Sequence, residues 1–226
     1  MSDLSTPAMT VAPAIRAESL GIAHHPVHTA TAGPEAGPAA AAVGDPLALG
    51  LAGFGVAVGV VGVTNAGLLS AAVTPVAFGT VIASGFLLQL IAGLLAFRRG
   101  ETFVGVVFCS WSAFFLGIAL LAVVFAPQIA LAGGSPGDAF GIYLIAWAVV
   151  STYHWIAAMV TIKVNVLIFG LGTCALYVLG VAAFMGNSTL NSIGGWLQIV
   201  TGALMLYLSA ATLINEMHGR RVLPVA

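Results

Sequence analysis

Apolar residues form long blocks along most of the chain. The six blocks lie near residues 46–69, 74–97, 102–126, 139–161, 163–185 and 191–215. Each block reaches the roughly 20 residues that an α-helix needs to cross the hydrocarbon core of a bilayer. The connections between them are short and contain turn-forming residues such as Pro75, Pro127 and Pro136. The pattern predicts an all-α, polytopic membrane protein whose six transmembrane helices form one bundle.

Composition strengthens this prediction. Only 6% of the 226 residues are charged, whereas 60% are hydrophobic. A soluble domain carries about 25% charged residues, so this chain lacks the polar side chains to cover a soluble surface. Its net charge of −1 does not favour nucleic acid as a partner. We therefore expect a multi-pass protein of the cell membrane that is surrounded by lipid.

The beginning of the chain differs in kind from the rest. Residues 1–44 are rich in Ala, Pro, Gly and Thr, as in the stretch TATAGPEAGPAAAAVG. This composition predicts a disordered tail over 1–44, followed by the transmembrane domain over 45–226. No apolar segment of a secretory signal precedes residue 46. His24, His25 and His28 lie in the tail, where a specific metal site is not expected, and no cofactor is expected either.

Basic residues predict the orientation. They are Arg16, Arg98, Arg99, Lys163, Arg220 and Arg221. In a six-span arrangement all of them lie on one side of the membrane, whereas the only charged residue in the loops of the opposite side is Asp138. Because basic residues concentrate in cytoplasmic loops, both termini are predicted to be cytoplasmic.

Small residues mark the first block as a closely packed helix. Gly55, Gly59 and Gly62 are spaced at i, i+4 and i+7 and form one smooth face. Helices in lipid associate by close backbone approach at such faces, so this helix is expected at the bundle centre or at a subunit contact. Asp45 suits the cap of the helix and Pro46 suits its first turn.

Distinctive side chains of five blocks fall at one predicted depth. Gln89 precedes Arg98 by nine residues and His154 precedes Lys163 by nine. Each is therefore about 13 Å from the cytoplasmic end of its helix. The side chains predicted to share this level are Phe54, Gln89, Trp111, His154 and Leu171.

His154 is the titratable group predicted to lie deep in the membrane. It belongs to a stripe of mostly small or polar residues at helical spacing: Trp147, Ser151, His154, Ala158 and Thr161. Polar groups inside a bilayer usually face the bundle interior or a water path. His154 could line a pore and relay a proton, or it could be a neutral histidine bonded to a neighbouring helix. Gln89 could likewise contact substrate or join two helices.

Catalytic chemistry has no basis in this sequence. The apolar blocks contain no second carboxylate to act with His154, no HExxH motif and no Ser/His pair with a third partner. The glycine-rich stretches are not followed by the lysine of a phosphate-binding loop. We do not expect an enzyme.

The start of the first block carries a resemblance to a known family. The stretch DPLALGLAGF, which contains Asp45, Pro46, Leu49, Gly50 and Leu51, resembles the Asn-Pro-Ala-Pro-Leu-Gly-Leu signature of the acetate uptake transporter family. The triplet NAG at 65–67, QLIAGLLAFRRGETF at 89–103 and NEMHGRRVLPVA at 215–226 also look like stretches of that family. The resemblance covers about residues 45–226, which is the whole predicted membrane domain.

The resemblance implies a transport protein. Family members are six-helix protomers of a hexamer, and each protomer has its own pore for small monocarboxylates, with succinate as a further substrate of some members. The signature lies at the pore entrance. The hydrophobic constriction, carried over by position, would consist of Phe54, Trp111 and Leu171. Asp45 replaces the signature asparagine and would repel an anion unless it is protonated or turned away as a helix cap.

We therefore expect a channel or proton-coupled carrier for small monocarboxylates, with acetate first and succinate second. Moving an anion into a negative cell interior costs about 2.3 kcal/mol per 100 mV, and a co-transported proton cancels this cost. His154 is the candidate proton donor. The alternatives are a membrane sensor or organiser without flux, and a pore for another small solute such as ammonium.

Overall fold

The computed structural model describes residues 43–225, and these fold into a bundle of helices. Six helices are long and apolar enough to cross a membrane: α1 (Leu47–Asn65), α2 (Thr74–Arg98), α3 (Thr102–Leu131), α4 (Pro136–Ala158), α5 (Lys163–Met185) and α6 (Ser188–His218). Within the described range there is no strand. The prediction of an all-α, six-span membrane protein is confirmed. The predicted tail lies outside the described residues, except for Val43 and Gly44.

Several helix ends differ from the sequence prediction. α1 ends at Asn65 because Gly67 follows with a φ of +75°, a left-handed conformation that ends a helix. α3 continues past Pro127 to Leu131, since a wide π-helical segment over Leu121–Phe125 precedes the proline and relieves the clash that a proline ring makes in a regular helix.

α4 is displaced by about one turn relative to the predicted block 139–161. It begins at Pro136, where the Ser135 hydroxyl caps it by accepting a hydrogen bond from the Asp138 backbone N–H at 3.2 Å. It ends at Ala158, and residues 159–162 form a turn before α5 begins. This early end changes the depth of His154, as described below.

The backbones of α1 and α6 approach each other closely at several glycines. A Cβ atom added at Gly62 would lie 2.8 Å from the Ile199 backbone nitrogen, and one added at Gly202 would lie 2.8 Å from the Gly55 carbonyl oxygen. The smooth face predicted on α1 therefore packs against α6 of the same chain. Of the two positions that the sequence allowed, the structure shows the central one.

The other helices pair in the same antiparallel manner. α2 packs on α3, where the Cys109 backbone nitrogen would lie 2.9 Å from a Cβ added at Gly93. α4 packs on α5, where the hydroxyl oxygens of Ser151 and Thr173 are 2.8 Å apart. Both pairs contact α1 or α6 through buried side chains. Side chains of all six helices consequently meet at the centre of the bundle.

Charge is concentrated at one end of the bundle. Every charged residue of the described range except Asp138 lies at the end where α1 starts and α6 finishes. There Arg99 donates to the Val43 carbonyl oxygen at 2.6 Å and pairs with Glu101 at 2.7 Å. The hydrogen bond to Glu101 raises the pKa of Arg99 above its usual value. We call this end the charged end and the other the Asp138 end.

Filling the α1–α6 contact should destabilise the protein. In Gly62→Ala the new methyl group meets backbone atoms of α6, which cannot rotate away. Overpacking of this kind costs about 1–3 kcal/mol, and each kcal/mol lowers the melting temperature by about 2–4 °C for a chain of this size. The measurement is thermal unfolding of the detergent-purified protein.

Gly79→Ala is the matched control, because Gly79 lies within a helix and has no atom within 4 Å of the added Cβ. It should be neutral or stabilising, since alanine is the better helix former. Equal melting temperatures for the two variants would show that the α1–α6 contact tolerates a larger residue.

Candidate functional site

Aromatic side chains from α1, α3 and α4 form a cluster at the centre of the bundle. The rings of Phe54 and Trp111 meet edge to face with centroids 4.9 Å apart, and Phe54 meets Phe115 in the same way at 5.2 Å. Trp147 of α4 stacks on Trp111 with centroids 6.3 Å apart. Phe54 and Trp111 are each only 4% exposed. The structure thus brings together two of the predicted constriction residues and adds Phe115 and Trp147, which together we call the aromatic waist.

A first cavity of about 170 Å³ lies between the aromatic waist and the charged end. Phe54 and Trp111 form part of its wall, with Leu47 and Leu51 from the start of α1. Its lining is mainly apolar. The polar members come from α4, α5, α6 and the α4–α5 turn: Ser151, Thr161, Asn165 and Thr201.

A second cavity of about 370 Å³ lies between the aromatic waist and the Asp138 end. Phe115 forms part of its wall. Its polar lining consists of hydroxyl and amide side chains: Thr64, Asn65, Thr74, Asn191 and Gln198. None of the residues that line either cavity is charged. The aromatic waist therefore separates two uncharged cavities that lie on opposite sides of it.

Leu171 does not belong to the aromatic waist. It lines a shallow groove on the outer surface together with Trp155, Lys163 and Cys174. The α5 leucine that lies between the cavities is Leu176, which is 4% exposed. It follows Gly172 of the first cavity by one turn and precedes Leu179 of the second by three residues. Leu176 lies five positions after Leu171, and this step rotates the side chain by about 140° around the helix. The rotation explains why Leu176 faces inward and Leu171 does not.

His154 is buried but lies closer to the charged end than predicted. α4 ends at Ala158, so His154 is four residues, or about 6 Å, from the end of its helix. The α4 residue at the level of Trp111 is Trp147, about 10 Å further in. The five side chains therefore do not share one plane as predicted, because His154 lies closer to the charged end.

The surroundings of His154 are aromatic. Its ring centroid is 6.3 Å from that of Phe169, which lines the first cavity. His154 is 2% exposed, and neither ring nitrogen has a hydrogen-bond partner among the described residues. The rest of the predicted stripe faces inward as expected, since Ser151 lines the first cavity and Ala158 is fully buried.

Gln89 lies in the contact between α2 and α3 and lines neither cavity. Gly93 of α2 packs on Cys109, and Gly85 packs on Phe115. This antiparallel register places Gln89 opposite Ser112. Both side chains are buried, and the Gln89 amide has no hydrogen-bond partner among the described residues.

The predicted entrance motif holds the start of α1 in place. The Asp45 carboxylate accepts a hydrogen bond from the Leu47 backbone N–H at 2.8 Å, so this carboxylate acts at the helix start and does not line the first cavity. Pro46 precedes the first helical residue, Leu51 lines the cavity, and Leu49 is 38% exposed on the outer side.

Gly50 provides the space for an aromatic neighbour, because a Cβ added there would collide with the ring of Phe108. Phe108 also lines the first cavity. On the adjacent helix, the Ser209 hydroxyl donates to the Ala48 carbonyl oxygen at 2.7 Å and joins the motif to α6. The motif thus shapes one wall of the first cavity through packing.

Sequence reasoning missed the amide group of the second cavity. Asn65 Nδ2 donates to Gln198 Oε1 at 2.8 Å, and Asn191 Nδ2 donates to the Asn65 carbonyl oxygen at 2.9 Å. Asn65 belongs to the NAG triplet, and Gln198 to the stretch LQIVTGAL. The sequence did indicate a role for Asn65 and Gln198, because both are amides within or at the end of apolar helices, where polar groups are costly.

Comparison with known proteins gives a consistent result. A protein named succinate-acetate/proton symporter SatP from Escherichia coli K12 is 29% identical over 181 residues, which span 80% of this chain and 94% of that protein. The solved structure described as that of the bacterial acetate channel SatP aligns with a TM-score of 0.75 and 27% identity, over 82% of this chain and 100% of that one.

A more distant relative is named for the transport of a different solute. The Saccharomyces cerevisiae protein named ammonia transport outward protein 2 is 26% identical over 169 residues, which span 72% of this chain and 59% of that protein. These relatives are named as transport proteins and a channel, and none of the three as an enzyme. The model of the GPR1/FUN34/yaaH family matches residues 29–225. With the six-helix fold, this match shows that the chain belongs to the GPR1/FUN34/yaaH family.

Proposed function

We propose that the protein transports small monocarboxylates, acetate foremost and succinate second, through its own six-helix bundle. The single observation that carries this proposal is the pair of cavities on opposite sides of the aromatic waist. A bundle with only a structural or sensory role has no need of two cavities on opposite sides of its centre. The names of the bacterial relatives, a symporter and an acetate channel, support the same substrate class.

The lining determines how a carboxylate crosses. An ionised carboxylate loses many kcal/mol when it leaves water for apolar surroundings, and no arginine or lysine lines either cavity to offset this loss. The permeant species therefore crosses the waist together with a proton or with part of its hydration shell. Because an anion also works against about 2.3 kcal/mol per 100 mV, proton-coupled uptake is the proposed mode.

His154 is the proposed proton donor. Its ring lies 6.3 Å from that of Phe169, which lines the first cavity, and rotation of Phe169 is the proposed route from that cavity to His154. Its two ring nitrogens have no partner among the described residues, which leaves them available to a solute or water that reaches them. The proposal does not place His154 at the waist itself.

Assembly and orientation complete the proposal. We place the charged end, and with it both termini, in the cytoplasm of a cell-membrane protein, since positive residues favour that side. The family resemblance supports a homo-hexamer in which every protomer has its own path.

Ammonia transport is the second candidate function, and the yeast relative's name is the observation that favours it. Proteoliposomes containing only the purified protein distinguish the two. Uptake of radiolabelled acetate above protein-free liposomes, reduced by unlabelled acetate and succinate, supports the first proposal. Ammonium flux without acetate uptake would favour the second and contradict the first.

Removing a ring from the aromatic waist should let larger substrates pass. In Phe54→Ala the ring that meets Trp111 and Phe115 is removed, so larger monocarboxylates such as benzoate gain passage. We expect the ratio of benzoate to acetate uptake to rise at least fivefold. Phe125→Ala is the matched control, because Phe125 is 49% exposed and lines neither cavity. An unchanged ratio in a folded Phe54→Ala protein places the constriction elsewhere.

Replacing the proposed proton donor should reduce proton-coupled uptake. In His154→Gln the side chain keeps hydrogen-bonding groups but cannot carry a proton at neutral pH, so acetate uptake driven by an inward proton gradient should fall at least tenfold. His218→Gln is the control, since His218 is an exposed residue at the end of α6. If both variants retain the wild-type dependence of uptake on external pH, the relay role of His154 is wrong.

A further inference from the structure

The amide cluster of the second cavity, which consists of Asn65, Asn191 and Gln198, joins the end of α1 to the first half of α6. Its two hydrogen bonds, at 2.8 and 2.9 Å, connect residues that are more than a hundred positions apart in sequence. Gln198 is only 8% exposed. Because the Asn65 amide donates to the Gln198 side-chain oxygen, the Gln198 side-chain nitrogen is directed away from Asn65.

The hydrogen-bond pattern leaves a donor available. The Gln198 side-chain oxygen accepts a hydrogen bond from the Asn65 side chain. The Asn191 side-chain nitrogen donates to the backbone carbonyl oxygen of Asn65. The Gln198 side-chain nitrogen has no hydrogen-bond partner among the described residues, and it is not one of the side-chain atoms buried from solvent. Since Gln198 lines the second cavity, we infer that this NH₂ group is reached from it.

The surroundings favour an acceptor of hydrogen bonds. The side chains that line the cavity include no carboxylate that could compete for the amide. Asp138 is exposed at the same end of the bundle and does not line the cavity. A carboxyl group that enters the cavity therefore meets no carboxylate among the side chains that line it.

We propose that the Gln198 amide, held by its hydrogen bond from Asn65, is a carboxylate-binding group on the Asp138 side of the aromatic waist. This inference rests on the proposed function and names a binding group for its substrate class. A neutral amide suits a transported anion, because conduction requires binding strong enough for entry and weak enough for release. A fixed cation in the same place would hold the anion more tightly and slow its departure.

Gln198→Glu tests the binding role with little change of shape. The glutamate keeps an oxygen to accept from Asn65 but replaces the NH₂ donor by a second oxygen. We expect the acetate concentration for half-maximal uptake at pH 7 to rise at least tenfold in proteoliposomes. Gln128→Glu is the matched control: it makes the same chemical change near the same end, but Gln128 is exposed and lines neither cavity.

Gln198→Met covers the case in which the added carboxylate prevents folding. It removes the donor without adding charge, and we expect the half-saturating acetate concentration to rise about fivefold while the maximal rate changes less than twofold. Thermal unfolding of the purified variants establishes that they are folded. A merely structural role would lower the yield or the melting temperature without this separation of the two kinetic constants.

The outcomes separate this inference from the function on which it rests. If the wild-type protein takes up acetate and folded Gln198→Glu or Gln198→Met retains the wild-type half-saturating concentration, the binding role of Gln198 is refuted and the proposed function stands. If the wild-type protein takes up no acetate above protein-free liposomes, the proposed function fails and this inference fails with it.

Discussion

The close approach of α1 and α6 is the contact on which the rest of the arrangement depends. Glycines at 55, 62 and 202 allow the two backbones to meet, and in lipid such approach is what holds helices together. The contact fixes the rotation of α1, so that Phe54 points toward Trp111 and Phe115. It also brings Asn65 within hydrogen-bonding distance of Gln198. One packing surface thereby positions both the waist and the amide cluster.

The absence of charge along the cavity walls determines the chemistry. With no basic residue lining either cavity, the proposed binding of a carboxylate relies on hydrogen bonds from neutral groups, each worth about 1.5–3 kcal/mol when the partner is charged. Weak binding on both sides of an apolar waist favours passage over retention. In the proposed mechanism the cost of dehydrating the anion falls at the waist, and the co-transported proton reduces it.

Much of the fold could be predicted from the sequence, because a bilayer imposes a length and an apolar composition on every spanning helix. The depth of Phe54 and Trp111 could be predicted, because α1 and α3 start where the sequence indicated and the residues could be counted from those ends. The same counting failed for His154, since α4 ends at Ala158 and the next four residues form a turn. Hydropathy does not reveal such an end when the turn itself is apolar.

Facing direction is harder to predict than depth. Leu171 and Leu176 both lie in an apolar helix with leucines on several sides, and only packing against α4 and α6 determines which of them faces inward. The Asn65–Gln198 pair could not be predicted for a similar reason, because it depends on the register between the first and last helices. Paired amides in two apolar spans were a visible signal, but their spacing in sequence gives no distance.

The position of a bound carboxylate tests the central claim most directly. Crystals of the purified protein soaked in bromoacetate would locate the ligand through the anomalous signal of bromine. The account predicts peaks inside the bundle, in the first or second cavity adjacent to the aromatic waist. Peaks confined to the outer surface or to contacts between subunits, with both cavities empty at saturating bromoacetate, would contradict it.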